Sequence, residues 1–227
     1  MNESNIGKVS VIILETEYVT HDVKRFVLER PEGFSFIPGQ AVNISINKPE
    51  LKNEIRPYNF TSLPDASFLE FMIKIYPNRN GITKVMGGMN KGEELILHDV
   101  FGSILFKGNG VFIAAGSGIT PFLSILRSLQ KLKRVQDNIL IYSNKTMDDI
   151  VMGEELHEML GNRFVNFFTR QNVIGFLDRK LDRDFLIEVV PDFKQHFYIC
   201  GPETFVSEVT LLLKSLGASA SAIVFEQ

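Results

Sequence analysis

The hydrophobic pattern of the chain changes near residue 105, and this change limits the fold more than any other feature. Before it, short runs rich in Val, Ile and Phe are separated by turn residues. After it, apolar runs of strand length alternate with segments whose apolar residues recur at helical spacing. The first pattern is typical of an antiparallel barrel or sandwich, and the second of a parallel sheet with helices. We therefore expect two domains: an antiparallel β-barrel at 1–104 and an α/β parallel-sheet domain at 105–227.

The expected elements follow from these runs. In the first half, strands are predicted at 9–14, 23–28, 41–46, 68–75 and 95–98, and a short helix at 82–89. In the second half, strands are predicted at 111–115, 138–143, 163–169, 196–200 and 222–226, and helices at 120–132, 153–160, 179–189 and 203–216. Three glycines between 101 and 110 mark the junction.

Composition excludes several classes of function. Twenty-four basic and 27 acidic residues give a net charge of −3, so we do not expect a nucleic-acid partner. The single cysteine excludes a disulfide framework, a four-thiolate zinc site and a cysteine-ligated iron–sulfur cluster within this chain. With no apolar run of about 20 residues, no membrane span is expected. The first ten residues lack the features of a secretory signal, so a cytoplasmic location is predicted.

The clearest local motif in the second half is AAGSGITPF at 114–122. An apolar strand ends there, Gly116 and Gly118 follow, and a helix is expected from Thr120 with Pro121 in its first turn. Glycines at such a turn let backbone amides approach a phosphate, which the helix N-terminus also attracts. The alternative is a tight strand–helix turn that needs glycine only for its geometry.

A second turn of this kind is ICGPETF at 199–205. The strand HFYIC ends at Cys200, and Gly201 and Pro202 lead into a helix. Ligands of open parallel sheets bind at the carboxyl ends of strands, so the two glycine turns can flank one crevice. The alternative for Cys200 is an inert buried thiol.

Two motifs stand out in the first half. RPYNFTS at 56–62 combines an arginine, which pairs with phosphate, a tyrosine, which stacks on flat rings, and small polar residues. KIYPNRNGIT at 74–83 leads from a strand into a helix that opens at Gly81. Taken alone, the first is equally a polar strand and turn, and the second an ordinary loop before a helix.

In their order along the chain, these motifs resemble the ferredoxin–NADP reductase superfamily of flavoproteins. RPYNFTS resembles its flavin motif, GITK at 81–84 its second pyrophosphate loop, and GSGITP its nicotinamide-dinucleotide glycine motif. CGP at 200–202 resembles its second nucleotide motif, and AIVFE at 222–226 its closing strand. The resemblance covers nearly the whole chain.

The resemblance implies an FAD-binding barrel followed by an NAD(P)-binding domain. It also implies that a hydride passes from NADPH or NADH to flavin N5, and that electrons then pass to a protein acceptor such as ferredoxin, flavodoxin or an oxygenase component. Because this chain cannot hold a cysteine-ligated cluster, such an acceptor would be a separate molecule.

Site residues carried over from the resemblance fall into two groups. On the FAD side, Arg56 and the amides of Ile82 and Thr83 would contact the pyrophosphate, Tyr58 the flavin side chain, and Asn59 and Thr61 the ring. Pro57, Ser62, Lys74 and Gly81 belong to the same cofactor-binding set. On the nucleotide side, Gly116, Gly118, Thr120 and Pro121 would line the nicotinamide site, opposite Cys200, Gly201 and Pro202.

Three of these positions are candidates for tuning the reaction. Cys200 and Glu226 would line the reaction cleft, and Asn59 occupies the place where the family usually has a serine that donates towards flavin N5. Phe225 is a candidate for covering the flavin ring, a role that a partner or no residue could also fill.

Two questions stay open at this point. Ser143, Lys145 and Arg170 can meet the 2′-phosphate of NADPH, but the same stretch resembles NADH-using relatives. The chain can also be a partner-dependent FAD-binding electron-relay subunit of a larger redox complex, or a plain nucleotide-binding module without flavin.

Overall fold

Two sheets of different type organise the chain in the computed structural model, which describes residues 7–102, 104–170 and 181–225. One compact unit comprises the described residues up to Leu105 together with Thr120–Ile125. The other comprises Phe106–Ile119 and the described residues from Leu126 onward.

The first unit is built on six antiparallel strands in the spatial order β4-β3-β6-β1-β2-β5. Their bounds are β1 Val9–Tyr18, β2 Val23–Glu29, β3 Gln40–Ile46, β4 Arg56–Asn59, β5 Phe68–Lys74 and β6 Glu94–Gly102, with helix α1 at Ile82–Gly88 between β5 and β6. The two outer strands meet: the Phe60 amide bonds to Gln40 at the start of β3, and the next amide, Thr61, bonds to Glu70 on β5. The sheet therefore closes on itself just after β4.

Phenylalanine fills the core of this unit beside that closure. The Phe60 ring stacks on Phe36 with centroids 4.0 Å apart and packs against Phe71 at 5.1 Å and Phe34 at 5.8 Å. All four side chains are buried. The end of β4 is therefore held from inside by aromatic packing.

The second unit contains five parallel strands in the order β11-β10-β7-β8-β9. The strands are β7 Gly110–Ala115, β8 Ile139–Asn144, β9 Phe164–Phe168, β10 His196–Cys200 and β11 Ile223–Phe225. The helices that follow β7 in the chain are α2 Thr120–Lys131, α3 Gly153–Leu160, α4 Arg183–Val189 and α5 Glu203–Ser215. Because β10 pairs with β7 in parallel, Cys200 lies beside Ala114 at the carboxyl edge of the sheet.

Alternation along these strands places apolar residues on both faces. Val111 and Ile113 share a core with Phe185 of α4 and Val209 of α5. Phe112, between them in sequence, points to the other face and stacks on Tyr198 with centroids 4.6 Å apart. The apolar stripe predicted on α2 is buried as expected, through Phe122, Ile125, Leu126 and Leu129.

The predicted fold class is confirmed. Strand β4 has no counterpart among the predicted strands, and the other differences lie at element ends. Strand β1 runs to Tyr18 because its polar half pairs with β2, after a register shift between Ile13 and Glu15. Helix α4 begins at Arg183, where Asp182 accepts a hydrogen bond from the Phe185 amide; the predicted start near Arg179 lies outside the described residues. Among the described helices, none combines the length and the apolar character needed to cross a bilayer.

Candidate functional site

Strand β4 carries the first group of predicted site residues. It pairs with β3 so that Tyr58 lies opposite Val42 and Asn59 opposite Ala41. Arg56 and Pro57 are exposed at its start, and the Arg56 guanidinium is held near the main chain by donating to the Ile55 carbonyl at 2.7 Å. The strand therefore presents a cation to solvent, and its last two residues, Tyr58 and Asn59, are partly buried.

Two buried polar atoms on β4 lack partners. The Tyr58 hydroxyl and the Asn59 side-chain nitrogen are both shielded from solvent, and neither has a hydrogen-bond partner among the residues that the structure describes. Burial raises the pKa of Tyr58 to about 12, against the opposing effect of the Arg56 charge. The phenol thus stays a donor at neutral pH. Unpaired buried donors are costly, so they indicate a place where a ligand supplies acceptors.

Thr61 and Ser62 have protein partners instead. The Thr61 hydroxyl donates to a Glu70 carboxylate oxygen at 2.8 Å, and the Ser62 hydroxyl accepts from the Glu70 amide at 3.1 Å. Both residues are buried. In the structure, both hydroxyls are therefore bonded to Glu70 of β5. The resemblance, by contrast, implied that Thr61 lies near the flavin ring.

Gly81 and Thr83 flank the start of α1. Gly81 has a φ of 155°, and a Cβ there would meet no atom within 4 Å, so its backbone is open to approach. Ile82 is buried and Thr83 partly buried. The other end of α1 is anchored by the buried Lys24 ammonium, which donates to the carbonyls of Gly87 at 3.0 Å and Met89 at 2.6 Å.

Lys74, the remaining residue of this set, ends strand β5. Its ammonium forms an ion pair with Asp22 at 2.6 Å, and both side chains are 21% exposed. Lys74 therefore has a partner of its own in the structure.

The second group of site residues follows β7. A single 3₁₀ turn, Gly116–Ile119, connects the strand to α2. Gly116 has a φ of +52°, a Cβ there would meet no atom within 4 Å, and its carbonyl accepts a hydrogen bond from the Tyr142 hydroxyl at 2.9 Å. Thr120 and the buried Pro121 begin the helix.

The two predicted glycine turns touch one another. A Cβ on Gly118 would stand 2.6 Å from the Cys200 carbonyl carbon and 2.8 Å from the Gly201 nitrogen. A Cβ on Gly201 would stand 2.9 Å from the Ala115 methyl carbon and from the Phe205 ring. Close packing therefore requires glycine at both positions. It also means that the two turns lie next to each other at the carboxyl edge of the sheet.

A cavity of about 450 Å³ lies beside this contact, at the end of β10 and against α5. Cys200 is 7% exposed, and Phe225 at the end of β11 is 38% exposed. The lining consists of Ile199, Cys200, Gly201, Glu203, Val206, Ser207 and Phe225. The cavity thus brings together three predicted residues, while Pro202 is exposed beside it.

Helices α2 and α5 both start at this edge without a side-chain cap. Helix α4 differs, because the Asp182 carboxylate caps it. The first amides of an α-helix have no partner within the helix and attract anions. The two glycine turns therefore lead into helix starts that suit the phosphates of a dinucleotide.

Both cofactors implied by the sequence fit these residues. An FAD would find an exposed guanidinium, an open glycine backbone and two unpaired donors on the first unit. A nicotinamide nucleotide would find the two glycine turns, the uncapped helix starts and the cavity on the second. Glu226 lies outside the described residues.

The sequence motifs did not indicate three charged residues that support the site: Lys24, Arg25 and Glu70. The signal was present, since Glu70 interrupts the apolar run FLEFMI and the two cations lie within VKRFVL. A charge inside a buried strand requires a partner, and such partners often have a specific role.

Two family models match the sequence. The Oxidoreductase FAD-binding domain matches residues 10–104. The Oxidoreductase NAD-binding domain matches residues 112–210. Together they include β1 to β6 and most of the second unit.

Two relatives align with almost all of the chain. NADH-cytochrome b5 reductase 1 of Ajellomyces capsulatus is 29% identical over 234 residues, which cover 92% of this chain and 74% of the relative. The ferredoxin–NAD(P)(+) reductase component of the naphthalene 1,2-dioxygenase system of Pseudomonas putida is 25% identical over 235 residues, which cover 97% and 68%.

A solved structure has the same fold. It is a ferredoxin NADP+ reductase from Neisseria gonorrhoeae with bound FAD and NADP, with a TM-score of 0.82 at 22% identity over 95% of this chain and 96% of that one. Taken with the two matching domain models, these similarities establish what the motif order implied. The chain belongs to the ferredoxin–NADP reductase superfamily and is an NAD(P)H-dependent FAD oxidoreductase.

Proposed function

We propose that this protein is a reductase that takes electrons from NAD(P)H through FAD and delivers them to a separate protein acceptor, of the ferredoxin, flavodoxin or oxygenase-component class. The main structural support for an FAD site is the pair of buried, unpaired donors at Tyr58 and Asn59. The relatives named for cytochrome b5 and for a dioxygenase system support a protein acceptor. The single cysteine supports an acceptor outside this chain.

FAD, when bound, accepts a hydride from the nicotinamide and can release its two electrons singly. The residues of the first unit bind and orient it. Arg56 neutralises pyrophosphate charge, the open backbone at Gly81 to Thr83 supplies amides, and Tyr58 and Asn59 donate hydrogen bonds to the flavin portion. We propose residues 1–104 as the FAD-binding domain, which the matched range 10–104 supports.

The residues of the second unit bind the nucleotide. The amides of the Gly116–Ile119 turn and of the first turn of α2 hold phosphate, while Gly201 and Pro202 shape the opposite side. Cys200, which lines the cavity, fixes the nicotinamide ring by contact. We propose residues 105–227 as the NAD(P)-binding domain, which the matched range 112–210 supports.

The choice between NADPH and NADH depends on charge near the end of β8. Lys145 and Arg170 are both exposed, and the Arg170 amide donates to the Lys145 carbonyl at 3.0 Å, so two cations lie side by side. The test is the ratio of kcat/KM for the two nucleotides in wild type and in Lys145→Gln. A selective loss with NADPH supports a 2′-phosphate site, and an equal effect on both contradicts it.

The experiment for the whole proposal starts from the purified chain. A visible flavin spectrum that survives gel filtration, and its bleaching by NAD(P)H under anaerobic conditions, are the expected results. A colourless protein that takes up no FAD contradicts the proposal. Diaphorase activity with ferricyanide separates a free-standing enzyme from a relay subunit that works only inside a complex. Cell fractionation tests the predicted cytoplasmic location.

A further inference from the structure

One acidic residue, Glu70, takes part in three hydrogen bonds at the closure of the first sheet. Strands β4 and β5 are the outer strands of the six, and Glu70 of β5 binds the chain just after β4 in three ways. Its carbonyl accepts from the Thr61 amide at 2.9 Å, its carboxylate accepts from the Thr61 hydroxyl at 2.8 Å, and its amide donates to the Ser62 hydroxyl at 3.1 Å.

Glu70 is a charged residue that solvent hardly reaches. It is 4% exposed, and its second carboxylate oxygen accepts from Arg25 Nε of β2 at 2.7 Å. Arg25 also contacts the exposed Glu17 at 3.1 Å. A buried ion pair contributes little net stability compared with apolar residues of the same size, because desolvation offsets the attraction. Specification of one strand arrangement is a better-supported role for such a pair.

The arrangement that Glu70 specifies includes the donors on β4. Thr61 follows Asn59 by two residues and Tyr58 by three. Side chains alternate between the faces of an extended chain, so a slip of one residue at Thr61 would exchange the faces that Tyr58 and Asn59 occupy. Fixing both the amide and the hydroxyl of Thr61 therefore fixes the direction of these two donors.

We propose that Glu70 is a positioning residue for FAD: it holds Thr61 and Ser62, and with them the register that sets the faces from which Tyr58 and Asn59 donate, without touching the cofactor itself. This inference rests on the proposed function. It gives Thr61 a role towards Glu70 in place of direct contact with the flavin ring.

The test compares FAD binding by the full-length apoprotein of four single variants and one double mutant. Glu70→Gln removes the charge at constant shape, Thr61→Val removes the hydroxyl at constant shape, and Thr61→Ser restores it. Glu17→Gln is the control, since it alters a partner of Arg25 other than Glu70. We measure the FAD dissociation constant by quenching of flavin fluorescence, the visible circular dichroism of bound FAD, and the unfolding midpoint of the apoprotein.

Glu70→Gln and Thr61→Val should each raise the FAD dissociation constant about tenfold, the effect of one charge-assisted hydrogen bond, and change the dichroism of the bound flavin in the same way. Their double mutant should be no weaker than either single variant, because both remove one interaction. Thr61→Ser and Glu17→Gln should match wild type. If Glu70→Gln fails to fold, Glu70→Asp takes its place: it keeps the charge but draws the carboxylate back from Thr61, and its effect should match that of Thr61→Val and not add to it.

Four outcomes overturn the inference. If the variants at positions 61 and 70 bind FAD like wild type, the inference is overturned and the proposed function still stands. Additive effects, or an effect at Thr61 without one at Glu70, also overturn it, because Thr61 would then act on the flavin directly. A wild-type protein that binds no FAD overturns the proposed function and the inference together.

Discussion

The main chains of Gly118 and Cys200 are in direct contact, 82 positions apart in sequence, with room for a hydrogen and not for a methyl group between them. A Cβ on Gly118 would stand 2.6 Å from the Cys200 carbonyl carbon, and the neighbouring Gly201 nitrogen would be 2.8 Å away. These atoms belong to backbone, which cannot turn aside as a side chain can. The position of each turn therefore depends on the backbone of the other.

Gly118→Ala should displace the turn at residues 200–202 and weaken nucleotide binding about tenfold or more. We expect a loss of about 1–3 kcal/mol in the free energy of unfolding, the usual effect of overpacking. Denaturant titration and nucleotide titration measure the two effects. Gly88→Ala is the matched control, since a Cβ at that position would meet no atom within 4 Å. A Gly118→Ala protein with normal nucleotide affinity would show that the two turns are not coupled.

Tyr58→Phe should move two properties in opposite directions. Removing a buried hydroxyl without a protein partner should stabilise the apoprotein by about 1 kcal/mol, while FAD affinity falls about fivefold to tenfold. Because the pKa of Tyr58 is about 12, its donor role should persist up to about pH 10. Thermal unfolding of the apoprotein and FAD titration at pH 7 and pH 9 provide the check. Equal FAD affinity in variant and wild type would mean that the hydroxyl does not reach the cofactor.

Cys200→Ser should slow flavin reduction by NAD(P)H about tenfold and leave FAD bound. The thiol lines the cavity at the end of β10, and small errors in the position of a reacting ring reduce rates strongly. Stopped-flow absorbance under anaerobic conditions measures the step. Glu208→Gln, an exposed α5 residue outside the cavity lining, serves as control. A rate equal to wild type in Cys200→Ser would remove the thiol from the mechanism.

His98 should make stability depend on pH. Burial lowers its pKa, the charge of Lys8 lowers it further, and Asp99 acts in the opposite direction. Its ring nitrogen Nε2 lies 2.8 Å from the Ser45 hydroxyl. The unfolded chain therefore takes up the proton first, so the stabilising effect of the neutral ring is complete above about pH 6.5 and is lost as pH falls below it.

The unfolding midpoint of wild type should thus drop between about pH 6.5 and pH 5 more steeply than that of His98→Gln. Glutamine can still pair with Ser45 but does not titrate. His157→Gln, at an exposed position of α3, should keep the wild-type slope. Parallel curves for His98→Gln and wild type would show that His98 is not responsible.

Helix α3 and strand β10 have the predicted bounds, and most other predicted elements agree to within a residue or two. Strands β1 and β6 run four residues further than predicted, to Tyr18 and Gly102, because their ends are paired with neighbouring strands and are not marked by an apolar run. Strand β4 lacks such a run: Arg56 and Pro57 are exposed, and pairing with β3 and the packing of Phe60 make it a strand. These are tertiary contacts, which a local pattern does not contain.

The same distinction applies to the candidate site: some of its features follow from local sequence, and others from tertiary contacts. The glycine turns were visible because glycine just after an apolar strand indicates a tight turn or a close backbone approach, and the structure brings Gly118 and Cys200 together. The partner of Thr61 was not visible, because nothing in RPYNFTS indicates that its hydroxyl faces Glu70 across the sheet closure. Side-chain direction at a turn depends on the strand that packs beside it.

The helix starts at Thr120 and Glu203 affect how this protein should be handled. Neither start has a side-chain oxygen bonded to its first amides, so we expect both ends to attract small oxyanions from solution. Inorganic phosphate or sulfate in a purification buffer would then compete with the dinucleotide. Apparent affinities for NADH and NADPH measured in such a buffer should be weaker than in a bulky zwitterionic one, by the same factor for both nucleotides.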